Sequence, residues 1–219
     1  MLLASYKDLI RNIPFLEHSF ATKQTTWQRE YKKHSKFARY CDKVFVVNTL
    51  KLSREDLLEA ANNDFYEGLF SIIFWGYPRN MRGNTFGKIL DSLEEIYSLL
   101  SRPKELRIQD YNLLTKQLNG KGVGLSTLSK ILYFFRFTIE GKQCLILDRR
   151  IIDVLNTKFF SELTALREIT ALNKAERYFD YLSTMEEVSK SYSFKSDQLE
   201  LFLFLFGNSL KPSAFVSND

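Results

Sequence analysis

Apolar residues recur at helical spacing along most of this chain, and that pattern limits its possible folds more than any other feature. The clearest example, SREDLLEAANNDFYEGLFSIIFW, begins at Ser53 with acidic residues in its first turn and ends at Gly76-Tyr77-Pro78. Other segments with this spacing are 85–100, 110–118, 126–137, 148–160 and two in the C-terminal third. We therefore predict a mainly α fold.

The first 50 residues are the ambiguous part of this pattern. KVFVVNTL at 43–50 is rich in β-branched residues and is typical of a strand. The fold class therefore includes a minor β component near the amino terminus.

The composition indicates a folded chain and excludes several kinds of site. Apolar residues make up 45% of the chain, with nine glycines and four prolines, which is enough for a sizeable core. Two cysteines, Cys41 and Cys144, are too few for a disulfide framework or a four-cysteine zinc or iron–sulfur site. With only His18 and His34, a histidine-rich metal centre is also excluded. We expect no cofactor and no metal.

Neither end of the chain has the pattern of a membrane segment. Asp8 and Arg11 interrupt the apolar start, so we expect no secretory signal. The most apolar stretch, 199–210, contains Glu200 and is too short to cross a bilayer. We expect a cytoplasmic, monomeric protein that makes no membrane contact.

Positive charge is concentrated between residues 23 and 43. The whole chain has a formal charge of +5, and this segment alone carries seven basic residues and two acidic ones. Trp27, Tyr31, Phe37 and Tyr40 are interleaved with them. Such a segment suits a polyanion such as a nucleic-acid backbone. The alternative is a solvated helix face whose aromatic side chains pack inward.

The stretch LNGKGVG at 118–124 predicts a tight turn between two helices. It contains Gly120, Lys121, Gly122, Val123 and Gly124. The first N–H groups of the following helix have no partner within that helix, and with the helix dipole they can bind a phosphate. A plain αα-hairpin with glycine at the helix end explains the same residues.

Asp148 follows the short apolar run CLIL and opens the segment DRRIIDVLNTKFF. An aspartate at that position most often caps the helix by accepting hydrogen bonds from backbone N–H groups. A capped aspartate is also rigid, so a cap and a catalytic carboxylate are compatible roles.

The order of these motifs resembles the helix–hairpin–helix DNA glycosylase superfamily. GVG at 122–124 looks like the hairpin of that superfamily, and LILDRRIIDVL at 145–155 looks like the segment that carries its catalytic aspartate. The resemblance covers residues 53–160 and extends more loosely to the last helix. It implies a two-lobed helical unit over 1–219, with a basic, aromatic segment at 1–50, a core at 53–160 and closing helices at 161–219.

The resemblance leaves two positions for the nucleophile. Bifunctional members have a lysine eighteen residues before the aspartate, which is the spacing from Lys130 to Asp148. That lysine usually stands two residues after the last glycine, where this chain has Ser126; monofunctional members carry a serine there. We favour Lys130, because the packed distance from the hairpin helix to the aspartate changes less readily than a surface turn.

The resemblance also implies contacts to DNA and to the flipped base. The loop at 77–84 lies where the family has its intercalating loop, and it offers Arg79, Asn80, Arg82 and Asn84. A turn with solvent-facing arginines is the alternative. On the terminal helix, Gln198 and Phe202 are candidates for the base pocket, although core packing is the more common role of a phenylalanine at this spacing.

The expected activity is therefore excision of a base from double-stranded DNA. The substrate expected from the resemblance is an 8-oxoguanine-type base or a hypermodified phage base, and the role is either repair or phage defence. Lys130 as nucleophile would add Schiff-base lyase activity, whereas Ser126 at that position implies water as the nucleophile. The alternatives are a non-catalytic helix–hairpin–helix DNA-binding module and a helical protein-interaction domain.

Overall fold

The computed structural model describes residues 2–157, 159–170 and 172–210. The described chain divides into two compact units. The central unit comprises Pro14–Ile146, and the terminal unit combines the residues up to Ile13 with the described chain from Leu147 onward. The boundaries of these units differ from the boundaries of the three segments expected from the sequence. Most of their elements are helices, which confirms the mainly α fold class.

The helices are, in chain order, α1 (Lys7–Arg11), α2 (Gln24–Tyr31), α3 (Ser35–Val44), α4 (Arg54–Asn63), α5 (Phe65–Gly76), α6 (Thr85–Asp91), α7 (Leu93–Leu100), α8 (Ile108–Leu118), α9 (Leu125–Phe134), α10 (Arg149–Asn156), α11 (Tyr178–Tyr192) and α12 (Ser196–Phe206). Short 3-10 helices cover Leu3–Tyr6 and Ser161–Leu166. The strands are β1 (Ser19–Lys23), β2 (Thr49–Ser53), β3 (Glu105–Leu106), β4 (Thr138–Ile139) and β5 (Lys142–Gln143).

Two small sheets lie within the central unit. Strands β1 and β2 pair antiparallel, with Ala21 opposite Lys51, so the minor β component near the amino terminus is confirmed. The strand predicted at 43–50 is largely wrong, because α3 continues to Val44 and β2 begins only at Thr49. In the second sheet, β3 is parallel to β4 and β4 is antiparallel to β5.

The helix predicted from Ser53 to Gly76 is two helices. Ser53 caps α4, and its hydroxyl accepts a hydrogen bond from the backbone N–H of Asp56. The chain then breaks at Asp64, whose side chain caps α5 by accepting from the N–H of Glu67 at 2.8 Å. An aspartate side chain at this position accepts a hydrogen bond from a backbone N–H group and so begins a new helix. A Cβ on Gly68 would lie 2.5 Å from the Cα of Ala61, so glycine allows α4 and α5 to pack closely.

The helix predicted over 85–100 is also divided, between α6 and α7 at Ser92. Thr85 is the first residue of α6, and Asn84 is the N-cap residue. The Thr85 hydroxyl instead donates to the carbonyl oxygen of Arg82 at 2.7 Å, which fixes the end of the preceding loop.

The aromatic residues of the basic segment pack mainly inward. Trp27 and Tyr31 are buried, and the Trp27 ring lies 4.8 Å from the Phe74 ring between centroids. Three of the lysines form ion pairs with acidic side chains; the pairs are Lys33–Glu30, Lys36–Glu94 and Lys43–Glu67. This arrangement is that of a solvated helix face, and DNA contact by the segment stays a prediction.

The core of the terminal unit is formed by aromatic and aliphatic side chains of α10, α11 and α12 and of the first residues. Phe202 lies at its centre, 5.4 Å from the Tyr6 ring and 6.0 Å from the Phe160 ring between centroids. Within the described ranges, no helix combines the length and the apolar character needed to cross a membrane.

Candidate active site

The glycine turn predicted between two helices is observed between α8 and α9. Gly120 and Gly122 have φ values of +82° and +80°, a region that side chains with a Cβ adopt only at a cost. A Cβ on Gly122 would also lie 2.5 Å from the carbonyl oxygen of Thr85. Glycine is therefore required at 122 for two reasons, and the turn is packed directly on the start of α6.

The other residues of the turn fix its position. Val123 is buried, and the amine of Lys121 forms an ion pair with Glu95 on α7. The ion pair between Lys121 and Glu95 therefore connects the turn to α7. Gly120 and Gly124 are exposed.

The start of α9 is open. Gly124 is its N-cap residue, and among the described residues no side chain caps the helix there. The N–H groups of Thr127 and Leu128 bond to the carbonyl oxygen of Gly124, which leaves those of the two preceding residues directed out of the helix end. This end can accept an anion.

Lys130 lies on the second turn of α9 and is buried, with 4% of its surface exposed. Its Nζ donates to the carbonyl oxygen of Ser126 at 3.0 Å and to the Ser126 hydroxyl Oγ at 3.1 Å. In the central unit as described, no carboxylate forms an ion pair with it. A buried amine held by neutral oxygens differs from the surface lysine of an amphipathic helix.

The contacts of Tyr77 and Gly76 with Lys130 were not predicted from the sequence. The Tyr77 ring lies with its centroid 5.3 Å from the Lys130 amine, and its hydroxyl shares a hydrogen bond of 2.7 Å with the hydroxyl of Thr127. Gly76 leaves room for the stem, because a Cβ there would lie 2.8 Å from Cδ of Lys130. The only sequence signal was their place at the junction where α5 ends and the predicted DNA-contacting loop at 77–84 begins.

The loop at 77–84 exposes the four side chains predicted to contact DNA; these are Arg79, Asn80, Arg82 and Asn84. Met81 is buried, and the carbonyl oxygen of Pro78 accepts from the Thr22 hydroxyl at 2.9 Å. The loop is therefore held in place by the buried Met81 side chain and by the hydrogen bond to the Pro78 backbone. This arrangement fits either a DNA-contacting loop or a turn with solvent-facing arginines.

Asp148 lies in the terminal unit and caps α10, as expected. Its Oδ1 accepts a hydrogen bond from the N–H of Ile151 at 3.1 Å. The side chain is half-buried, and the following Arg149 is paired with Asp153 at 2.7 Å. The carboxylate is thus held in one orientation by the helix that it begins.

The two base-pocket candidates have structural contacts in the terminal unit. Phe202 is fully buried among Tyr6 and Phe160, in the core position that was its alternative. The Gln198 amide donates to the carbonyl oxygen of Arg11 at 2.6 Å and accepts from the N–H of Lys195 at 2.9 Å. Both side chains are therefore engaged, and a role in base recognition stays a prediction.

The described residues thus include a glycine turn, an open helix start, a buried lysine and a capped aspartate, in the order in which the resemblance to the DNA glycosylase class places them. Within this class, residues 14–204 match the family model “Putative 8-oxoguanine DNA glycosylase OGG-like protein”, and the chain belongs to this family. No curated protein and no solved structure matches the chain. Membership of a DNA glycosylase family implies a DNA substrate.

Proposed function

We propose that this protein is a DNA glycosylase that excises an 8-oxoguanine-type base, with the Lys130 amine as nucleophile. The observation that carries this proposal is the burial of Lys130. Within the central unit, its amine donates hydrogen bonds to two neutral oxygens, the carbonyl oxygen and the hydroxyl of Ser126. An amine without a neighbouring carboxylate is not held as a permanent ion pair. Such an amine is suited to attack carbon once it has lost a proton.

The reaction breaks the bond between C1′ and the base nitrogen. The unprotonated amine attacks C1′, and the base leaves with the bonding electron pair and takes up a proton. The sugar ring then opens at O4′, which is protonated, and the nitrogen and C1′ form an imine. Loss of a C2′ proton from this imine breaks the C3′–O3′ bond, which is the lyase step.

Asp148 is proposed to stabilise the positive charge that develops on the sugar as the base departs. Its spacing from Lys130 in the sequence and its fixed orientation as a helix cap support this role. The open start of α9 and the loop at 77–84 are proposed to bind the DNA backbone and the bases around the target. The target base must leave the stack to reach the amine.

Borohydride trapping tests the proposal. Duplexes with 8-oxoguanine, a hypermodified cytosine or an abasic site are incubated with the protein and borohydride, and parallel samples are treated with alkali. We expect a covalent adduct that is lost in Lys130→Ala and retained in Lys116→Ala, since Lys116 is an exposed lysine on α8. Thermal unfolding of both variants establishes that the fold is intact.

Other outcomes assign other functions. Alkali-dependent strand cleavage without an adduct would mean a monofunctional glycosylase with water as nucleophile. Adduct formation only with the hypermodified base would favour phage defence over repair. Salt-dependent DNA binding without cleavage or adduct on any duplex would favour the DNA-binding module.

A further inference from the structure

We propose that Tyr77 is a positioning residue that holds the Lys130 amine in place for attack; this inference rests on the function proposed above. An ammonium group within about 6 Å of an aromatic centroid is attracted by the face of the ring. The distance here is 5.3 Å, inside that limit. The amine therefore has the Tyr77 ring in addition to the oxygens of Ser126.

The ring itself is fixed by α9. The Tyr77 hydroxyl and the Thr127 hydroxyl share a hydrogen bond of 2.7 Å, and Thr127 is buried. Thr127 lies between Ser126 and Lys130 on the same helix. One helix therefore supplies the amine, its oxygen acceptors and the anchor of the ring.

Gly76 completes the arrangement. A Cβ at this position would lie 2.8 Å from Cδ of Lys130, closer than Cβ atoms pack, and 3.1 Å from its Cε, which is a tight contact. The glycine thus makes room for the lysine stem. Gly76 and Tyr77, two consecutive residues where α5 ends, therefore both affect the position of the Lys130 side chain. Gly76 has no Cβ to displace the stem, and the Tyr77 ring lies beside the amine.

Four variants test separately the contributions of the Tyr77 ring, of its hydroxyl group and of the space around the Lys130 stem. Tyr77→Leu removes the ring face, and we expect the single-turnover trapping rate on abasic-site DNA to fall about tenfold. Tyr77→Phe keeps the face and is expected to retain most of the rate. Thr127→Val removes the same hydrogen bond from the other side, so its rate should match that of Tyr77→Phe. Gly76→Ala pushes on the stem and is expected to lower the rate, while the DNA dissociation constant stays unchanged in both variants.

The matched control is Tyr97→Leu, which removes an exposed tyrosine ring of the same unit. Its trapping rate should equal that of the unsubstituted protein. Trapping at the unsubstituted rate by Tyr77→Leu, or an equal loss in Tyr77→Phe and Tyr77→Leu, would overturn the positioning role. No adduct from the unsubstituted protein would instead contradict the proposed function.

A second measurement needs neither DNA nor activity. Lysines are acetylated with acetic anhydride, and the rate at each site is read by mass spectrometry. Lys130 should react more slowly than Lys116, and Tyr77→Leu should raise its rate severalfold while Tyr97→Leu does not. An unchanged Lys130 rate in Tyr77→Leu would show that the ring does not cover the amine, whatever the outcome of trapping.

Discussion

The Lys130 amine lies 3.1 Å from the Ser126 hydroxyl, one helical turn away on α9. These are the two residues between which the sequence resemblance leaves the nucleophile position open. Because these two residues are in contact, both alignments would place the proposed reacting group at the same part of α9. Ser126 accepts a hydrogen bond from the attacking amine in one alignment, and in the other Lys130 donates to the residue at the reacting position.

Replacing Ser126 by alanine should weaken the reaction without abolishing it. The amine loses the hydroxyl acceptor at 3.1 Å but keeps the backbone carbonyl oxygen at 3.0 Å. A lost hydrogen bond of about 1 kcal/mol corresponds to a fall of about fivefold in the single-turnover rate. Full loss of base release in Ser126→Ala, with Lys130→Ala still active in base release, would assign the reaction to the serine position.

Asp148→Asn should separate catalysis from helix capping. Asparagine caps helices about as well as aspartate, so the free energy of unfolding should change by less than about 0.5 kcal/mol. Base release should be lost, because the amide carries no charge to stabilise the sugar cation. Asp148→Ala should lose about 1 kcal/mol of stability in addition. The measurements are urea unfolding and excision assays on both variants, and normal excision by Asp148→Asn would exclude the catalytic role.

Gly122→Ala should destabilise the protein more than Gly120→Ala. Both glycines have positive φ, which costs an alanine about 1 kcal/mol. Only the Cβ at 122 would meet a backbone oxygen, 2.5 Å away, whereas nothing lies within 4 Å at 120. Urea unfolding should therefore place Gly122→Ala below Gly120→Ala, and equal stability of the two would contradict the close packing of the turn on α6.

His18 should make the folded state sensitive to mild acid. Burial and the neighbouring Arg54 lower the pKa of His18 from 6.5 to about 4. Between these values the unfolded chain binds the proton and the folded chain does not, so stability is lost as pH falls from 6.5 toward 4. Since His18 is partly exposed, the expected loss is no more than about 2 kcal/mol.

The measurement for His18 is the thermal midpoint between pH 7.5 and pH 4.5. His18→Gln should lower the pH dependence in this range, whereas His34→Gln, at a surface pair with Asp91, serves as the control. An identical pH dependence in His18→Gln and the unsubstituted protein would contradict the assignment.

Local signals predicted much of this structure. The cap at Asp148, the helix start at Ser53 and the glycine turn after Leu118 were all predicted, because each depends on residues within a few positions of one another. The break at Asp64 had the same kind of signal, an aspartate three residues before the N–H that it accepts from, but a continuous apolar pattern obscured it. The β1–β2 pairing had no local signal, since its register joins segments about 30 residues apart.

The helical class, the glycine turn and the order of lysine and aspartate follow from the sequence alone, because backbone geometry and capping act over short stretches. The side chains that surround the lysine are known only from the tertiary structure. Tyr77 and Thr127 are 50 residues apart, and their contact depends on how α5 and α9 pack. The tertiary structure also assigned Phe202 to a core, since helical spacing identifies a face of a helix but not what that face packs against.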